Sequence, residues 1–347
     1  MRSVLVGTLV AVASIGTANA DLPAAQREDP ELLWLSNPNI KTLQRDLQAA
    51  ADRGYRLVPL PTGQFGDFFI RAVLLEKTTA QPEPVEYLLL RSGDVNEAAA
   101  RGYRFAGAFT GVLVMQRRKG NTTRTHEYVA LGTRLKHTME DELLTTVAKG
   151  FRVVGLQTLG LDFPVLHTGQ RELAAILERP VQAAEAVHPQ YVILYSLKAS
   201  TTQAELQAAA DRGYRLSPLQ GAWGSTVLLE KADDIEPIEY VVISAAKTET
   251  MQEEIDKASA EGYRFACTLG SGLREFVIAM QRLKGSKART HEHVLLAASR
   301  YKTMERELLT QLAKGFRVVG LTSLDSVTGT FFGRGPEGIA VLERRVD

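Results

Sequence analysis

The chain has 347 residues, 45% of them hydrophobic and 23% charged, with 41 Lys and Arg against 40 Asp and Glu. That composition supports a buried core and excludes a disordered or collagenous chain. The charge balance removes any bulk electrostatic pull on nucleic acid or acidic membranes, and a single cysteine, Cys267, excludes an intrachain disulfide or a Cys-rich zinc site.

Residues 1–20 read as a secretory signal peptide. Met1-Arg2 is a positive start, Val4 to Ile15 an apolar run, and Ala18-Asn19-Ala20 a small-x-small cleavage site. The expectation is a mature chain starting at Asp21, with a tail over 21–30, located in the periplasm or secreted. The apolar run is short for a bilayer span, and no later stretch reaches the roughly 18 apolar residues of a membrane helix.

From residue 31 onward the sequence repeats. Leu47 to Leu57 reads LQAAADRGYRL, and so does Leu206 to Leu216. Ala148 to Leu156 reads AKGFRVVGL, and so does Ala313 to Leu321. Six Gly-aromatic-Arg triplets start at Gly54, Gly102, Gly150, Gly213, Gly262 and Gly315. A recurring spacing of this kind marks one supersecondary unit copied several times. The predicted organisation is a first three-unit half over 31–180, an Ala-rich linker over 181–188 and a second half over 189–347.

Within a unit the pattern changes period in a fixed order. A strand-like run such as Glu86-Tyr87-Leu88-Leu89-Leu90 or Glu239-Tyr240-Val241-Val242-Ile243 comes first. An amphipathic helix follows; in the third unit Met139, Leu143, Leu144, Val147 and Ala148 fall on one face. Thr202 with Glu205, and Thr250 with Glu253, have capping-box spacing. The triplet glycine then suits the left-handed residue that ends a helix, its aromatic neighbour packs back on the last turn, and the arginine opens a strand with its head in water or near the helix's negative end. Two strands joined by a hairpin complete the unit, Arg152–Thr158 with Glu172–Glu178 for example. The predicted fold is α+β, a tandem array of six β-α-β-β units in two homologous halves.

A helix ending in Leu-x-x-Ala-x-x-Gly-aromatic between a strand and a hairpin resembles small bacterial domains of unknown function. Its strand-helix-strand-strand order is similar to the dodecin fold. Dodecins hold flavin between stacked aromatics of a symmetric assembly. Trp34 and Trp223 do not recur through the six units, so no flavin site is carried over and no cofactor is expected.

Few residues suggest chemistry. His126 and His291 occupy matching Arg-Thr-His-Glu runs, and His291 shares a strand face with His293, which makes that pair a weak metal candidate. An enzyme with a site between the two halves, using His291 and His293, is the alternative reading. No nucleophile elbow or phosphate-binding glycine loop occurs, and Cys267 reads as a small buried hydrophobe in a strand. The scaffold repeats whereas the hairpin tips diverge. Phe68, Phe69, Trp223, Phe331, Phe332 and Arg334 sit in Gly-flanked tips, where a rigid scaffold would carry a binding surface. The leading expectation is therefore a non-catalytic binding or structural scaffold of the cell envelope, with a protein or small-molecule partner.

Overall fold

The computed structural model describes residues 32–346 apart from 38, 59–71, 79–82, 91–93, 110–111, 134–135, 160–171, 183–188, 196–197, 218–225, 233–235, 272–275 and 325–336. The described residues form an α+β protein with six three-stranded antiparallel sheets and six helices. The first sheet combines β1 (Leu32–Ser36), β2 (Tyr55–Leu57) and β3 (Ala72–Lys77), with α1 (Ile40–Asp52) between β1 and β2. The second has β4 (Val85–Leu90), α2 (Val95–Ala100), β5 (Arg104–Phe109) and β6 (Val112–Arg118); the third has β7 (His126–Thr133), α3 (Lys136–Val147), β8 (Arg152–Leu159) and β9 (Glu172–Pro180). The fourth has β10 (Tyr191–Tyr195), α4 (Ala199–Asp211), β11 (Tyr214–Leu216) and β12 (Thr226–Lys231). The fifth has β13 (Ile238–Ala245), α5 (Thr248–Ala260), β14 (Arg264–Ser271) and β15 (Phe276–Leu283); the sixth has β16 (His291–Ala298), α6 (Tyr301–Leu312), β17 (Arg317–Leu324) and β18 (Glu337–Arg345).

In every sheet the last strand lies in the centre, paired with both others. The central strands are nearly continuous apolar runs because both of their faces are buried. Val227 and Leu229 pack on α4, while Leu228 joins the core formed with α3. Likewise Ala340 and Leu342 pack with Met304 and Leu308 of α6, whereas Ile339 and Val341 join the core around α5. Each helix is thus sandwiched between its own sheet and the next one.

The sandwiching closes on itself. Five hydrophobic cores join successive sheets: first to second around Leu43 and Leu47, second to third around Val95 and Ala98, third to fourth around Met139 and Leu143, fourth to fifth around Leu206 and Ala209, fifth to sixth around Met251 and Ile255. A sixth core joins Leu296, Met304, Leu308 and Phe316 of the last sheet and helix to Trp34 and Leu74 of the first. An open array of six units has five such joints and two bare ends. Six joints make a ring.

The triplets end the helices as expected. All six glycines have φ between 85° and 91°. At α2 the Gly102 amide donates to Ala99 and the Tyr103 amide to the Ala98 carbonyl, the paired bonds of a Schellman cap. The helix starts differ from expectation. α4 and α5 begin three residues or fewer before the threonines predicted as caps, so Thr202 lies inside α4, buried, with its hydroxyl donating to the Lys198 carbonyl. A threonine in a first turn bonds back to the preceding carbonyl as readily as it caps. On α3, Leu144 and Ala148 are exposed; the buried stripe is narrower than the five residues predicted and runs through Met139, Leu143 and Val147.

Both edges of each sheet need partners, since an unpaired edge is a template for aggregation. Helix amides seal the first-strand edge. The Gln44 amide donates to the Tyr87 carbonyl and accepts from the Leu89 amide, while Gln48 does the same with Val85 and Tyr87. Gln203 and Gln207 of α4 hold Tyr240, Val242 and Ile238 of β13 in the same way. Asn96 holds Tyr128, and Gln252 holds His293 and Leu295. A side-chain amide offers one donor and one acceptor side by side, which is what a strand edge presents.

At α3 and α6, which pack towards the fourth and the first sheet, the residue ten before the triplet glycine is Glu140 or Glu305, where α1, α4 and α5 carry glutamine. An ionised carboxylate only accepts, so it cannot grip a strand carbonyl. Burial pushes the Glu305 carboxyl up, with Lys302 opposing, which fits a charge held against the joint. Changing both Glu140→Gln and Glu305→Gln is expected to add about 1 kcal/mol per joint, read as a higher urea midpoint at pH 7; no gain would mean these positions do not reach the strand edge.

Candidate functional site

The second-strand edges are sealed by the aromatic on the next sheet's first strand. The hydroxyls of Tyr87, Tyr128, Tyr191 and Tyr240 accept from the amides of Leu57, Phe105, Val153 and Leu216 at 3.0–3.2 Å. At the fifth to sixth joint His293 Nε2 takes this part, accepting from Phe265 at 3.1 Å. At the closing joint the corresponding place, opposite Glu76 as Tyr191 is opposite Glu230, belongs to Leu32, which has no hydroxyl to offer.

Beside two of these aromatics lies a buried carboxylate. Glu178 on β9 is cross-strand from Tyr128 and Arg152; Glu343 on β18 is cross-strand from His293 and Arg317. Their side chains are 2% and 1% exposed, respectively, so each needs internal compensation. Glu178 receives Arg104 at 3.0 Å, Arg152 at 2.8 Å and the Tyr128 hydroxyl at 3.1 Å. Burial pushes its carboxyl up, but the bonds from Arg104 and Arg152 outweigh burial and hold it below the ordinary range. Tyr128 moves the other way, raised by burial and by the neighbouring carboxylate.

Glu343 is held by Arg317. Burial again pushes it up; His293, Arg317 and the Arg264 charge outweigh it and hold the carboxyl at about 2. His293 Nε2 stands 3.6 Å from Glu343 Oε2 and meets the Phe265 amide at 3.1 Å. These two clusters occupy equivalent places, between the second and third sheets and between the fifth and sixth.

The triplet arginines therefore do more than face water. Arg104, Arg152 and Arg317 bind the buried carboxylates, while Arg56 and Arg215 reach back to the helix-end carbonyls of Ala51 and Ala210. The aromatic of each triplet is covered by a cation from the central strand. Arg117 lies 4.4 Å from the Tyr103 ring centre, Arg179 4.5 Å from Phe151, Arg282 4.2 Å from Tyr263 and Arg344 4.6 Å from Phe316, with Lys77 and Lys231 in this place over Tyr55 and Tyr214. The four arginines also donate to the carbonyls just past the helix ends, those of Arg101, Lys149, Glu261 and Lys314, and pair with Glu86, Glu127, Glu239 and Glu292. Stacking, carbonyl capping and ion pairing meet in one side chain, and the glutamate of each Arg-Thr-His-Glu run is committed to it.

His291 and His293 do lie on one face, with ring centres 6.5 Å apart. His293 is buried with both ring nitrogens engaged, Nδ1 by Ser259 at 2.8 Å and Nε2 by the Phe265 amide, which leaves neither for a metal. The groups that engage it, Gln252, Ser259, Phe265 and Glu343, come from the fifth and sixth sheets and the helix between them. His291, like His126, pairs its Nδ1 with the preceding threonine at 2.9 Å, and burial lowers the pKa of both. Among the described residues no three His, Cys, Asp or Glu side chains cluster as a metal site would require. Cys267 is fully buried, with its thiol pushed far up by burial; a thiol so held is not a nucleophile. An open depression between the fourth and fifth sheets is lined by Gln207, Glu239, Tyr240, Tyr263 and Arg282, side chains already committed to edge seals and caps.

The tip residues Phe68, Phe69, Trp223, Phe331, Phe332 and Arg334 lie outside the described residues. The strands that carry them are described. In each sheet the second strand starts at the helix cap and runs away from it. No helix among the described residues is long and apolar enough to cross a membrane. Compared with protein-family models, curated proteins and solved structures, the chain finds no match.

Proposed function

We propose that the protein is an exported, non-catalytic ring scaffold that binds a partner through its hairpin rim. It consists of six copies of one β-α-β-β unit in two homologous halves, 31–180 and 189–347, joined by 181–188, and it works in the periplasm or outside the cell. The closure of the six joints carries this reading. It yields a frame in which the buried ionisable groups Glu178, His293 and Glu343 are engaged in the joints, and on this reading the hairpins of divergent sequence are carried along one rim. Rigid frames with variable loops are how binding surfaces are commonly built. The leader pattern of residues 1–20 supports export.

The test is a variant combining Phe68→Ser, Trp223→Ser, Phe331→Ser and Phe332→Ser. The expected result is a melting temperature unchanged within about 2 °C, with loss of whatever crosslinked partner the native protein retains in the cell envelope. A fall of ten degrees or more would show that these rings are core, and would end the proposal for the rim.

A further inference from the structure

The two buried carboxylate clusters match residue for residue except at two neighbouring points, Tyr128 against His293 and Ala99 against Ser259. Tyr128 accepts from the Phe105 amide and donates to Glu178 Oε2, using both capacities of its hydroxyl. At the matching place His293 faces three groups. Ser259 Oγ donates its single proton to the Ile255 carbonyl at 2.7 Å, so the Ser259–His293 bond needs the proton on Nδ1. Nε2 is then the lone pair that accepts from Phe265. The neutral ring has nothing to give Glu343, whose Oε2 is buried without a hydrogen-bond donor among the described residues. A buried carboxylate oxygen left in that state is costly.

Ser259 belongs to the same departure. Three residues before the triplet glycine the other units carry Ala51, Ala99, Val147, Ala210 and Leu312; serine stands there only in the helix that faces a histidine.

We propose that Ser259, His293 and Glu343 form a proton-operated latch on the joint between the fifth and sixth sheets. A proton from solvent binds Nε2, and the His293 hydrogen bond passes from the Phe265 amide to Glu343 Oε2. No covalent bond changes. The charged and titratable groups around the ring are Glu343 of β18, Arg264 of β14, Arg317 of β17 and His291 of β16. The Phe265 amide then loses its acceptor on the outer edge of β14, just before the register shift between Phe265 and Cys267. The joint is sealed while the ring is neutral and loosens at its β14 edge when the ring carries the second proton. The Tyr128 joint lacks this response.

The two amides make an internal comparison in one molecule. Exchange of the Phe265 and Phe105 amides in the full chain, corrected for intrinsic rates, is measured at pH 7.5 and 5.5. Phe265 is expected to lose at least tenfold in protection relative to Phe105. Ser259→Ala with His293→Tyr, which copies the Ala99–Tyr128 pair, should abolish that loss. A constant ratio of the two amides, or a loss that survives the double change, overturns the latch. Should the double variant not fold, ring-nitrogen NMR of the native protein decides. A single Nδ1 proton at pH 7.5 and two protons at pH 5.5 support the latch, and an unchanged neutral ring overturns it.

Discussion

Trp34→Ala is expected to cost about 3–5 kcal/mol, as truncation of a core aromatic does. Trp34 is buried although it lies on the first strand of the chain's first sheet, and the residues that cover it are Leu296, Met304, Leu308 and Phe316 from the opposite end of the sequence. In an open array that face of the first sheet would meet water, and the same change would cost little. Urea unfolding measures the difference, and the indole emission of a Trp223→Phe variant adds a direct view of Trp34. A cost below about 1 kcal/mol with red-shifted emission would mean that the ring is open.

Gly102→Ala should be the most damaging of the cap substitutions. A Cβ at this residue would stand 2.5 Å from the Asn121 carbonyl oxygen and 2.9 Å from the Thr122 backbone, on top of a φ of 85°. The left-handed conformation alone costs an L-residue about 1–2 kcal/mol; displacing the backbone at 121–122 brings the expected loss to more than about 3 kcal/mol. Gly315→Ala meets nothing closer than the Arg344 side chain at 3.7 Å and should cost only about 1 kcal/mol. Similar midpoints for the two variants would show that the 121–122 turn yields freely.

The difference between these glycines shows what the sequence could and could not reveal. The triplets were legible because a helix cap is local chemistry, complete within six residues, and all six glycines take the predicted conformation. The α+β class was legible for the same reason, since strand and helix periods alternate along the chain. The partners of Gln44 and Gln203 were not, because each amide serves a strand about forty residues away. Nor was the central place of β3 or β18, which depends on the sheet rather than on the strand. Glu178 and Glu343 look like ordinary surface glutamates at the end of a strand; the cue lay in the aromatic and arginine opposite them, visible only once the register is known. His293 drew notice as a metal candidate, whereas its mismatch with Tyr128, and that of Ser259 with Ala99, in the aligned repeats was the better clue. The threonines misled because one hydroxyl can serve a helix start in two ways.

The sixth joint differs from the others in how it forms. Five joints connect segments that follow one another closely, whereas the last brings together residues roughly 300 apart. On the loop-closure scale, (3/2)RT ln n, a sixfold longer loop costs only about 1.6 kcal/mol more. Once the other five joints have set the curvature, even that cost falls, because the first and last sheets already stand near each other. Trp34 is thus a late contact, with little share in the folding nucleus, and its loss should speed unfolding far more than it slows folding.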